Sequence, residues 1–283
     1  MARALADGEE VDRALAVLAS RRIPVVLLKA AALDHLIYAE PGLRPRLDAD
    51  VLVPPARFAE TLRALEAHGA TVVTEDARPL TLAIYHEREV RLPGGALLDV
   101  HRHVAAWPLV QGFEAALVTR AAPTADGVFI PAPDDLILAT AIHVAQDGFR
   151  AALRLALDCS LLLARGDVDP LRLVATALAV HAAGPAARWL DALATLGVPP
   201  LDGAPWTAAR RLLGAATNPW TPHVRWGEAE TVVETRRGHV LGFDSPARAL
   251  TFVAYRSASL AFDWIWGRAL SRRGSGTTLP TAR

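Results

Sequence analysis

Two hydrophobic patterns divide the chain. In residues 3–19, Val11, Leu15 and Leu18 recur at helical spacing among charged positions, which predicts an amphipathic opening helix. Ile23 to Leu28 is an apolar run without alternation and predicts a short strand covered on both faces, leading straight into a helix from Lys29 to Tyr38. A second strand, Ala49 to Val53, is stopped by Pro54-Pro55, and Phe58, Leu62, Leu65 and His68 then mark a helix closed by Gly69. Thr71 to Thr74 reads as a strand, and residues 80–92 and 96–103 flank a Pro93-Gly94-Gly95 turn as a hairpin. From about residue 132 the period becomes helical throughout, broken by Gly and Pro, with helices at 135–147, 149–165, 170–182, 185–196, 206–215, 228–241 and 245–270. Strands followed by helices predict an α+β protein. Residues 1–131 form its sheet-bearing domain, 132–273 a helical domain and 274–283 a disordered tail, in which Gly274 to Thr278 is of low complexity.

Composition narrows the partners. The chain has 283 residues, 52% of them hydrophobic, and a formal net charge of zero. No general field draws it to nucleic acid, so a long nucleic-acid substrate is not expected and a small molecule or a protein is the natural partner. A single cysteine, Cys159, excludes an internal disulfide framework and fits a reducing cytoplasm. The first ten residues are too charged for a signal peptide, and no apolar run reaches transmembrane length. Phe252, Tyr255, Phe262, Trp264 and Trp266 are interrupted by Arg256 and Asp263, which favours a core helix over a membrane-surface one. Lys29 is the only lysine, in a chain whose other basic residues are arginines, and it stands at a strand-to-helix junction where backbone N–H groups receive anions.

The candidate chemistry lies in Arg44-Pro45-Arg46-Leu47-Asp48-Ala49-Asp50. Residues two apart share a strand face, so Asp48 and Asp50 project together, and a divalent cation offsets their repulsion. An Asp-x-Asp pair alone is weak evidence, since Asp167 and Asp169 form another beside Gly166 and Pro170, where a loop or helix start explains them. Asp99, His101 and His103 share one face of the second hairpin arm, and Asp99 supplies a third carboxylate or, more plainly, a cross-strand partner for Arg88 or Arg91. His-x-His suggests zinc or iron, but no further Cys or His cluster supports it, and His101 reads better as a residue orienting Asp99 or touching phosphate. His143 reads as a partly buried helix histidine. Arg154 and Asp158, four apart, either pair on a helix surface or turn toward a cleft.

Lys29, Arg44-x-x-x-Asp48-x-Asp50 with Val51-Leu52-Val53, Leu98-Asp99-Val100-His101, Pro133-x-Asp135-Leu136, His143 and Leu153-Arg154 to Asp158 follow one another in the chain. In this order, over roughly residues 10–200, the chain resembles the bacterial uncharacterised nucleotidyltransferase family of the DNA polymerase β-like superfamily. The resemblance implies a small mixed sheet carrying three carboxylates and completed by a helical domain. It implies that Asp48, Asp50 and Asp99 hold two Mg²⁺ ions, or Mn²⁺, and that Asp99 helps to deprotonate the acceptor. Lys29 and Arg44 would hold the phosphates of a nucleoside triphosphate such as ATP, with His101 and His143 behind them. A nucleoside monophosphate would pass to a small-molecule or peptide acceptor of a biosynthetic pathway, with release of pyrophosphate. Ala30-Ala31 stands where the family usually has glycine after the lysine, and Leu47 where a small residue is commoner. An inactive nucleotide- or protein-binding module of the same fold, or a metal-dependent phosphohydrolase using Asp48, Asp50, Asp99 and His101, are the alternatives.

Overall fold

The computed structural model describes residues 2–38, 44, 48–73, 86–105, 110, 112–146, 150–151, 153–217 and 225–226. Within them, strands β1 (Val26–Leu27), β2 (Asp48–Leu52), β3 (Thr71–Val72), β4 (Glu87–Arg91), β5 (Leu97–His101), β6 (Ala122–Pro123) and β7 (Phe129–Ile130) form one sheet. Their order is β3-β4-β5-β2-β1-β7-β6. The sheet is mixed: β2 runs parallel to β5 and antiparallel to β1, β4 is antiparallel to β5, and β7 is parallel to β1. The apolar run predicted at 23–28 pairs as a strand only over Val26–Leu27, although Ile23, Val25 and Leu28 are buried beside it.

The hairpin is present, with β4 shorter than its predicted arm, whose residues 80–85 lie outside the described residues. Its turn is bound to the opening helix α1 (Ala2–Ser20): the Glu10 carboxylate accepts hydrogen bonds from the backbone N–H groups of Gly94 and Ala96. A Cβ at Gly94 would come within 2.8 Å of Glu10 Oε2 and push that carboxylate aside, while Gly95 adopts φ +101, a conformation that favours glycine. Helices α2 (Lys29–Leu36) and α3 (Phe58–Ala67) follow β1 and β2, and α4 (Phe113–Arg120), which the periodicity did not indicate, leads into β6.

Beyond the sheet come α5 (Pro133–Gln146), α6 (Leu153–Ala164), α7 (Pro170–Ala179), α8 (Ala183–Thr195) and α9 (Ala204–Ala215). These lie within a few residues of the predicted helices. A short parallel pair, β8 (Arg150–Ala151) with β9 (Arg225–Trp226), was not foreseen. Helix α5 packs against α2, α6, α7 and α8, which gives it buried residues on every side, from Leu136 to Ala145. Asp134 and Asp135 sit in the first turn of α5, where the helix dipole favours them. Asp135 pairs with Arg120 of α4 and Asp134 with Arg172 of α7, so the carboxylates join the helices to one another. Asp169 caps α7, accepting from Leu171 N (2.9 Å) and Arg172 N (3.2 Å), which explains the second Asp-x-Asp pair. The helices expected at 228–241 and 245–270, the C-terminal aromatic residues and the tail from 274 lie outside the described residues.

Candidate active site

Register builds the site. In the parallel pairing of β2 with β5, Asp50 stands directly opposite Asp99 and Asp48 opposite Leu97. Directly paired residues share a sheet face, so Asp48, Asp50 and Asp99 gather on one side while Ala49, Val51, Leu98 and Val100 fill the core on the other. Across β4 the residue opposite Asp99 is Glu89, and Glu87 faces His101. Asp99 therefore has a carboxylate for its cross-strand neighbour; Arg88 and Arg91, suggested as its partners, pair with Val100 and Leu97.

The carboxylates experience opposite fields. Asp50 is 3% exposed; burial alone would raise its pKa, but a hydrogen bond from His101 and the charge of Lys29 bring it down to about 2. Lys29 Nζ lies 2.6 Å and His101 Nε2 3.0 Å from the same Asp50 oxygen, Oδ1. At Asp99 the balance goes the other way: burial, then Asp50, Glu87 and Asp48, push its carboxyl up to about 7 against a smaller lowering by His101. Among the described residues, Lys29 is the fixed positive charge bonded into this group.

Lys29 reaches Asp50 because of how β1 ends. Leu28 N donates to the Asp50 carbonyl at 2.9 Å, extending the ladder to β2, and the next residue opens α2 beside that carboxylate. Lys29 itself takes φ +43, a left-handed conformation costing a non-glycine residue about 1 kcal/mol. Ala30 and Ala31 follow in the first turn of α2 with ordinary backbone, 5% and 3% exposed. The left-handed turn thus falls on the lysine, and the two alanines stand where their methyl groups pack. Burial works against the Lys29 ammonium, but Asp50 outweighs it and holds its pKa above the usual value.

The other residues singled out in the sequence lie apart from the carboxylates. Arg44 is 7% exposed and bonded to Asp158 of α6, Nε to Oδ2 at 2.9 Å and Nη2 to Oδ2 at 2.7 Å, and Tyr38 Oη also donates to Asp158 at 2.8 Å. Its guanidinium is committed to this pair, and Asp158 points inward, away from the surface pairing considered for it. His103 sits beside Glu114, Nδ1 to Oε1 3.4 Å. His143 is half-buried on α5. Two groups not singled out in the sequence, His86 and Glu87, adjoin His101: His101 Nδ1 is 3.2 Å and His86 Nε2 3.4 Å from Glu87 Oε2. Burial lowers the His86 pKa to about 4. The alternation Glu87-Arg88-Glu89 puts both glutamates on one face of β4, and the pairing with β5 makes it the face of Asp99.

A family described as "Uncharacterised nucleotidyltransferase" has a sequence profile that matches residues 2–191. The chain belongs to this family. It is a nucleotidyltransferase whose matched region runs from α1 into α8 and contains every residue of the site. No curated protein matches it. Among solved structures, the crystal structure of ANT(2″)-Ia in complex with adenylyl-2″-tobramycin is similar at 15% identity and a TM-score of 0.41, covering 60% of this chain and 93% of that one. The solution structure of the antibiotic-resistance factor ANT(2″)-Ia is similar at 13% identity and a TM-score of 0.35, covering 94% of this chain and 99% of that one. At these scores the two likenesses carry nothing about the substrates of the nucleotidyltransferase described here.

Proposed function

We propose that this nucleotidyltransferase is metal-dependent and moves a nucleoside monophosphate from a nucleoside triphosphate to a hydroxyl of a small-molecule or peptide acceptor, releasing pyrophosphate. The observation that carries this reading is the direct pairing of Asp50 with Asp99 in register, with Asp48 on the same face. The donor set fits Mg²⁺ or Mn²⁺: carboxylates converge on one face, and burial together with Asp50, Glu87 and Asp48 raises the Asp99 pKa, a cost that a bound cation offsets. Asp48, Asp50 and Asp99 would hold two such ions, which supply charge neutralisation for the phosphates and for the oxygens that attack and leave.

The chain's own residues do the rest. Asp50, always ionised, is fixed by His101 and so keeps one geometry. Asp99, set directly opposite Asp50 in the ladder, would help to take the proton of the acceptor hydroxyl. Lys29, at the head of α2, turns from Asp50 to the triphosphate, where free N–H groups of the first helical turn also face anions. Arg44, predicted to hold phosphate, serves instead to brace this half of the molecule against α6 through Asp158. The zero net charge supports a small acceptor over a long nucleic acid, and the single cysteine supports a cytoplasmic setting. No described helix is long and apolar enough to cross a membrane.

The test is pyrophosphate release by purified protein with each ribonucleoside triphosphate, Mg²⁺ and a panel of hydroxyl-bearing acceptors. Metal-dependent pyrophosphate release, reduced at least about a thousandfold in Asp99→Asn, is the expected outcome. Inorganic phosphate released without an acceptor would identify a phosphohydrolase. No product and no nucleotide binding would identify an inactive module.

A further inference from the structure

On the side of His101 away from Asp50, three potential metal donors converge, and the chemistry of the ring makes them more than neighbours. Asp50 is ionised and can only accept, so His101 must donate to it from Nε2. With Nε2 turned to Asp50, Nδ1 is the ring nitrogen left to ligate a metal ion. That nitrogen belongs to a side chain 2% exposed, makes no hydrogen bond, and looks across 3.2 Å at Glu87 Oε2. A buried imidazole nitrogen without a hydrogen bond thus faces a carboxylate oxygen, and a cation between them would satisfy both.

The spacing suits such an ion. In a tetrahedral zinc site with bonds of roughly 2.0–2.1 Å, ligand atoms lie about 3.4 Å apart. Glu87 Oε2 is already 3.2 Å from His101 Nδ1 and 3.4 Å from His86 Nε2, and all three donor atoms lie within 4.8 Å of one another. The hairpin backbone holds them there, because Arg102 N donates to the His86 carbonyl at 2.8 Å at the open end of the β4–β5 ladder.

We propose that His86 Nε2, Glu87 Oε2 and His101 Nδ1 form a nitrogen-rich cation site distinct from the Asp48/Asp50/Asp99 group, taking a borderline divalent ion, Zn²⁺ or Co²⁺ in preference to Mg²⁺. Two imidazoles select this class, whereas an all-oxygen set selects magnesium. Three protein ligands leave a fourth position open. An ion on Nδ1 locks His101 in the tautomer that donates to Asp50, so its effect is to position the buried carboxylate; His86 touches neither nucleotide nor acceptor.

The experiment uses full-length protein stripped with chelator and titrated with Co²⁺ in buffer containing Mg²⁺ but no nucleotide, so it stands apart from the transferase reading. One equivalent of Co²⁺ should bind with the visible absorption of a low-coordinate, nitrogen-ligated ion, and Zn²⁺ should displace it. His86→Ala should weaken that binding by at least about tenfold and remove the band, and Glu87→Gln should weaken it similarly, while Asp99→Asn should leave it in place. Both replaced side chains are partly exposed, at 17% and 35%, so the fold should survive, and circular dichroism checks that it does. Absence of the band, equal affinity in His86→Ala and the unmodified protein, or loss of the band in Asp99→Asn would each overturn the assignment.

Discussion

Asp50 and Asp99 are the same kind of residue, one strand apart, and the protein ionises them differently. Asp50 is kept charged at about 2 by His101 and Lys29; Asp99 is raised to about 7 by burial and by the carboxylates around it. The second shift is visible as stability. An acid whose native pKa lies above its ordinary 3.8 stabilises the fold fully below about pH 4 and loses that contribution as pH rises through about 7. Thermal melts in chelator should therefore show the unmodified protein losing Tm over that interval. In Asp99→Asn that loss should be absent, and added Mg²⁺ should restore the Tm of the unmodified protein at neutral pH. An identical pH slope in the variant would show that Asp99 titrates normally. At this scale the three aspartates and Lys29 were legible, because a strand face and a strand-to-helix junction follow from residue spacing. Glu87 and His86 were not, since which residue of β4 stands beside Asp99 depends on register, and register depends on a turn and a partner strand.

Elements are held together by ionic contacts that join distant parts of the chain. Arg44 and Asp158 are 114 residues apart and both almost completely buried. Removing one partner leaves a charge stranded in the interior, so Asp158→Ala should lower the unfolding free energy by about 3–5 kcal/mol. The double replacement Arg44→Met/Asp158→Leu should cost less than the single one, as read from urea denaturation, and equal costs would mean the pair is not coupled. Apart from α4, the described helices were foreseen to within a few residues, because apolar periodicity in segments such as 170–179 is strong. What each helix faces was not. Asp158 has Arg154 at i−4, which is the reading local spacing offers, yet α6 turns the carboxylate inward to a loop residue that only the folded chain brings near. Asp134 and Asp135 likewise pair with α7 and α4, partners that local spacing does not indicate.

At the scale of the whole molecule, the single cysteine reports on integrity. Cys159 lies in the helical half, buried, with Trp189 Nε1 donating to its sulfur at 3.4 Å, and burial pushes the thiol up to about 12. Thiolate is the reactive form, so a thiol reagent at neutral pH should label the protein only as fast as the helices around α5 and α8 open. Labelling followed against urea should track the loss of helical circular dichroism; rapid labelling of native protein would mean that this core opens on its own. The general architecture, strands first and helices after, was readable from the change of period near residue 132. The order of strands was not, because β7 returns to lie beside β1 through pairings of two residues too short to leave a pattern.

The parallel ladder between β2 and β5 has one more consequence. The separation of Asp50 from Asp99 is the spacing between neighbouring strands, about 4.8 Å at the backbone, repeated by every peptide group along the ladder. The spacing of the two carboxylates is thereby a property of the paired backbones themselves. A single-residue slip of β5 against β2, by contrast, would present Leu98 or Val100 to Asp50 and abolish the group at a stroke.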